Sequence, residues 1–110
     1  MSEFCLVLVT VPNETLATSL AQSLLAAQLA ACVNCFAVRS LYTWDGALQQ
    51  DYEYQLIIKT QVKLLDALTE MITTLHPYDI PEIIAIPIIA GATPYLTWLR
   101  DNVKSQASVG

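Results

Sequence analysis

Three features of the sequence predict an α+β fold. Elements alternate as β-α-β-β-α-β before a short final helix, the first strand is apolar on both parities, and one strong hairpin turn falls mid-chain. At 110 residues the chain fits a single domain, expected over residues 1–103 with a polar tail at 104–110.

Each element has a local cause. Phe4 to Val11 alternates Phe4, Leu6 and Leu8 on one side with Cys5, Val7 and Val9 on the other, the pattern of a strand buried on both faces. Pro12 ends it, and Asn13 can cap a helix whose first residue, Glu14, suits the positive end of the helix dipole. Leu16, Leu20 and Leu24, flanked by Ala17, Ala21, Leu25 and Leu29, set an apolar stripe that predicts a helix over Glu14–Ala30. From Cys32 the composition turns β-branched and aromatic. Asp45-Gly46 there predicts a long hairpin with arms Cys32–Trp44 and Ala47–Thr60, long enough to reach a neighbouring subunit. Leu64, Leu65, Leu68, Met71, Ile72 and Leu75 predict a second helix over Val62–His76, stopped by Pro77. Pro81–Gly91 reads as a strand whose Pro87 belongs at an edge or bulge, and Pro94 opens a short third helix. The resulting order is the ferredoxin-like split βαβ pattern, an antiparallel sheet with both long helices on one face and the other face left bare.

Composition narrows the function. Ten acidic against five basic residues give a net charge of −5, and the basic residues form no continuous face, so non-specific binding to nucleic-acid phosphates is not expected. The uncharged run from Thr15 to Val38 is broken by Thr18, Ser19, Gln22, Ser23, Gln28 and Asn34 on a helical polar face, so no membrane span is expected either. Only 14 % of residues are charged while 55 % are hydrophobic. Soluble domains average about 25 % charged, so part of this small domain's surface is expected to be covered by further copies of the chain. An acid stands where a secretory signal would be basic, and three cysteines suit no disulfide framework; a cytoplasmic location is the expectation.

Candidate chemistry is sparse. Cys32-Val-Asn-Cys35 has C-x-x-C spacing but lies on a strand, where residues three apart face opposite sides; two separate buried thiols are expected. His76, the only histidine, either closes a helix C-terminus or joins a thiol such as Cys32 in a soft site suited to copper. Lys59 and Glu82 become functional if they border one cleft, while Tyr42, Trp44, Tyr95 and Trp98 are packing anchors or a stacking wall. With three glycines, no phosphate loop and no nucleophile motif, an enzyme is not expected.

Six blocks carry a resemblance: Val9-Thr-Val-Pro-Asn-Glu14, Leu29-Ala-Ala-Cys-Val-Asn34, Ser40-Leu-Tyr-Thr-Trp-Asp-Gly46, Leu56-Ile-Ile-Lys-Thr60, His76-Pro-Tyr-Asp-Ile-Pro-Glu-Ile83 and Tyr95-Leu-Thr-Trp98. In this order and spacing, over Leu6 to Val103, they are similar to the CutA family. That resemblance implies a homotrimer of ferredoxin-like subunits packed sheet to sheet, with the hairpins embracing neighbours. It also implies two functions. One is divalent-cation, chiefly copper, tolerance, with Cys32 and His76 as the metal pair and Val9 standing where some members have a further cysteine. The other, by analogy with the PII signalling proteins, is a small polar effector held between subunits by a subset of Arg39, Tyr42, Trp44, Glu53, Lys59, Glu82, Tyr95 and Trp98.

Overall fold

A strand of eight residues, β1 (Phe4–Val11), runs through the middle of a four-stranded antiparallel sheet in a computed structural model that describes residues 2–105. The remaining elements are α1 (Glu14–Ala26), β2 (Cys32–Trp44), β3 (Ala47–Gln61), a 3-10 turn (Val62–Leu64), α2 (Leu65–Leu75), β4 (Ile84–Ile88) and α3 (Thr93–Asp101). Strand order is β2-β3-β1-β4, the split βαβ topology expected of the sequence.

Register decides which side chains meet. Val9 lies opposite Leu56, Val7 opposite Ile58 and Cys5 opposite Thr60, and this row faces α1 and α2. Ala17, Leu20, Ala21 and Leu24 of α1 close on it with Leu68 and Ile72 of α2, all buried. Alternate residues, Leu6 and Leu8 of β1 with Ile57 and Lys59 of β3, point to the second face. That face is not wholly bare: α3 covers one end of it, with Arg100 stacked 5.5 Å from the Phe4 ring and Tyr95 5.9 Å from Lys59 Nζ. Elsewhere Phe36, Ile84 and Ile86 stay 44 %, 50 % and 41 % exposed.

Three elements differ from expectation. Helix α2 covers Leu65–Leu75 rather than Val62–His76, because Val62–Leu64 forms a 3-10 turn and His76 is already extended. Helix α1 stops at Ala26 rather than Ala30, because Gln28 takes a left-handed φ of 57°. The Gln28 N–H donates to the Leu25 carbonyl at 3.0 Å and the Leu29 N–H to the Leu24 carbonyl at 3.0 Å. This is a Schellman cap, with Leu29 buried against the helix end, built without the glycine that usually signals it. Strand β4 keeps only Ile84–Ile88 of the expected Pro81–Gly91. Its Pro87, opposite Cys5, is accommodated because β4 is an edge strand bonded only to β1.

The local signals hold elsewhere. Asn13 Oδ1 accepts from the Leu16 N–H at 2.9 Å as the α1 cap. Asp45 and Gly46 take φ of 52° and 75°, the paired positive values a tight two-residue hairpin needs. Beyond Glu53 the hairpin leaves the domain as an arm whose Leu41, Trp44, Leu48 and Tyr52 are all exposed, and the molecule measures 44 Å along its longest axis. After α3, Val103 is buried in the main core and the Lys104 N–H donates to the Gln28 carbonyl at 2.8 Å. That bond ties Lys104 to the end of α1; most of the expected tail, 106–110, lies outside the described residues.

Candidate functional site

The eight residues expected to bind a ligand fall into two groups at opposite ends of the sheet. Arg39, Tyr42, Trp44, Glu53 and Glu82 line a groove of about 790 Å³ where the hairpin arm meets the segment between α2 and β4. Lys59 lies under α3 beside Cys32, its Nζ 4.0 Å from Cys32 Sγ, while Tyr95 and Trp98 are on α3 itself, their rings 5.5 Å apart. Register explains the separation. Lys59 pairs with Leu6 and with Cys32, whereas the groove borders Thr10, four residues further along β1, or about 13 Å at ~3.3 Å per residue. Within one chain Lys59 and Glu82 do not converge.

The groove is held by a relay from the core. His76 follows the last turn of α2 and is buried, its Nε2 2.7 Å from the Thr10 carbonyl oxygen. A carbonyl can only accept, so Nε2 carries the proton; Nδ1 accepts the Tyr78 N–H at 3.1 Å. Both ring nitrogens are thereby engaged, and the imidazole anchors the loop carrying Tyr78 rather than simply facing the end of α2. The Tyr78 ring packs 4.7 Å from the imidazole, and its hydroxyl donates to Glu53 Oε2 at 2.9 Å. Burial, followed by this bond to Glu53, pushes the Tyr78 phenol up to about 12. At the groove rim Tyr42 donates to Asp51, which raises the Tyr42 phenol above its ordinary range.

The metal pair is divided in the same way as the ligand residues. Cys32 pairs with Lys59 and shares its row, whereas His76 bonds to Thr10. One chain thus does not bring thiol and imidazole together, and no cluster of three or more His, Cys, Asp or Glu able to hold a metal ion occurs among the described residues. Cys32 and Cys35 lie opposite Lys59 and Leu56 and so face different sides, as their strand setting predicts, but Cys35 is exposed rather than buried. Edge strand β2 runs there beyond the cover of the helices. Cys5 is the one buried thiol, and burial pushes its pKa up to about 11.

Tyr78 and Asp79 also line the groove, although neither is among the residues expected to bind a ligand. The available signal was an aromatic and a carboxylate directly after the Pro77 helix stop, where a short loop must return to the sheet. Among the described residues no helix is long and apolar enough to cross a membrane.

Fold and groove together define a ferredoxin-like α+β domain with a polar and aromatic cleft at the root of a projecting hairpin. Residues 5–102 match the family profile of the CutA1 divalent ion tolerance protein, and the chain belongs to that family. It is 44% identical over 97 residues to the divalent-cation tolerance protein CutA of Thermus thermophilus, covering 87% of this chain and 94% of that one. It is 48% identical over 99 residues to the chloroplastic CutA 1 of Oryza sativa, covering 89% of this chain but 56% of the rice protein, so it spans little more than half of that relative's length. The crystal structure of CutA1 from Oryza sativa superposes with a TM-score of 0.93 at 45% identity, covering 96% of this chain and 97% of that one. That of CutA1 from the psychrotrophic Shewanella sp. SIB1 gives 0.92 at 41%, covering 94% and 98%.

Proposed function

We propose that this chain works as a homotrimeric binding protein of the cytoplasm, not an enzyme, and that it takes a small polar effector in the groove at the root of its hairpin. The groove carries the reading. Its volume of about 790 Å³ falls in the range of small-molecule sites, and it combines carboxylates with aromatic walls. Exposed Phe36, Ile84 and Ile86 on the sheet, with Leu41, Trp44 and Leu48 on the arm, supply the apolar area that assembly would cover. The projecting arm would then close the groove of an adjacent copy.

The relatives' names speak of divalent-cation tolerance. Tolerance through copper held by Cys32 and His76 would require those two residues to meet between copies and His76 to give up a bond, to the Thr10 carbonyl or to the Tyr78 N–H. Sensing or carrying a small molecule needs no such rearrangement and is the reading the geometry favours.

Native mass spectrometry of the protein taken from its source cells tests it. A retained small molecule on the assembly, lost in Glu82→Gln with the assembly intact, is expected. A ligand-free assembly with an occupied copper site would overturn the proposal in favour of the metal reading.

A further inference from the structure

We infer that the groove's ligand carries an organic cation, an alkylammonium or quaternary ammonium group set against Glu53 and flanked by Tyr42 and Tyr78. The inference rests on the small-molecule reading above and names the chemical class that site would take.

Glu53 gives the first reason. It is 7 % exposed, and its carboxylate has one recorded hydrogen bond, from the neutral Tyr78 phenol at 2.9 Å. Among the described residues the single ion pair is Arg100 with Glu3, at the far end of the sheet, so no cation of the chain lies at ion-pair distance from Glu53. Arg39 lines the same groove, but it pairs with Tyr52 while Glu53 pairs with Val38, which places the two on opposite strand parities. Buried carboxylates ordinarily have a positive partner. Here that partner has to come from outside the chain.

The walls give the second reason, independently. Tyr42 and Tyr78 border the groove with 40 % and 37 % of their surface exposed, so ring area is available to a ligand. Aromatic faces with a nearby carboxylate favour a weakly hydrated organic cation over an anion or a neutral group of the same shape. Glu53, Asp79 and Glu82 also outnumber Arg39 along the lining, which disfavours an anion.

The experiment is calorimetric titration of the assembled protein with three probes of similar shape and different charge: tetramethylammonium, neopentyl alcohol and pivalate. Tetramethylammonium is expected to bind at least tenfold more tightly than the other two. Glu53→Gln and Tyr42→Leu should each weaken it by about tenfold, and Lys63→Ala, outside the groove, should leave it unchanged. Binding that favours pivalate or neopentyl alcohol would overturn the cationic class and leave a small-molecule groove standing. Failure of tetramethylammonium to bind, with Glu53→Gln instead weakening assembly, would show that a lysine or arginine of a second copy occupies the site, and would also overturn it. Absence of binding by all three, with no molecule retained from source cells, would remove both the inference and the reading beneath it.

Discussion

Tyr78 donates its phenolic hydrogen to Glu53 at 2.9 Å, joining the loop after α2 to the base of the hairpin arm across 25 residues of sequence. This bond fixes one wall of the groove. It also gives the protein a spectroscopic handle on the site.

Tyr78→Phe should remove the recorded partner of a buried carboxylate and destabilise the fold by about 1–3 kcal/mol, measured by urea denaturation. The same tyrosine predicts a pH dependence. Its pKa is raised to about 12 in the folded protein, above the ordinary value near 10 of an unfolded tyrosine. The folded state therefore binds the proton more tightly. The associated stability is fully present below about pH 10 and is lost as pH rises toward about 12. Absorbance titration should show a late-ionising tyrosine that disappears in Tyr78→Phe; an unchanged curve would contradict the assignment.

His76 is expected to be a structural anchor. His76→Ala would strand both the Thr10 carbonyl and the Tyr78 N–H and leave a cavity, costing roughly 2–4 kcal/mol. Nitrogen NMR of the ring should find the proton on Nε2 and an unprotonated, accepting Nδ1. A proton resident on Nδ1 would break the relay as described.

Copper binding should be independent of His76. Titration of Cu(I) should be weakened by Cys32→Ser and unaffected by His76→Gln, because Cys32 lies in the row of Lys59 and Leu6 whereas His76 bonds to Thr10, four residues or about 13 Å further along β1. Equal losses in both variants would show that separate copies bring them together.

Assembly is the outcome expected from the exposed part of the sheet face. Light scattering of dilute protein is expected to give three times the 12.1 kDa chain mass. Ile86→Asp, a charge placed on that face, should shift the population toward smaller species. A monomeric wild type would refute the homotrimer.

Gln28 holds a left-handed conformation at the end of α1 that costs a side-chain-bearing residue about 1 kcal/mol relative to glycine. Gln28→Gly is expected to stabilise the protein by that order in urea denaturation. A loss of stability would indicate that the side chain makes a contribution larger than the strain.

Much of this architecture was legible in the sequence. The first strand, the Asn13 cap, the Asp45-Gly46 turn and the Pro77 stop are local signals, readable because each depends on a few adjacent residues and their backbone preferences. The end of α1 was not legible, since its cap depends on Leu29 finding a buried site beside the helix end, which permits Gln28 an unusual conformation. Nor was the course of α3 across the second face.

The division of the candidate site was decided by tertiary structure alone. Residue type was enough to mark Arg39, Tyr42, Trp44, Glu53, Lys59, Glu82, Tyr95 and Trp98 as candidates, but not to sort them. Pairing Lys59 with Leu6, and bringing the segment after α2 back to Thr10, put Lys59 under α3 and Glu82 in the groove. Those positions follow from register and loop path, which are set by the packing of distant segments on one core, and no local propensity records them.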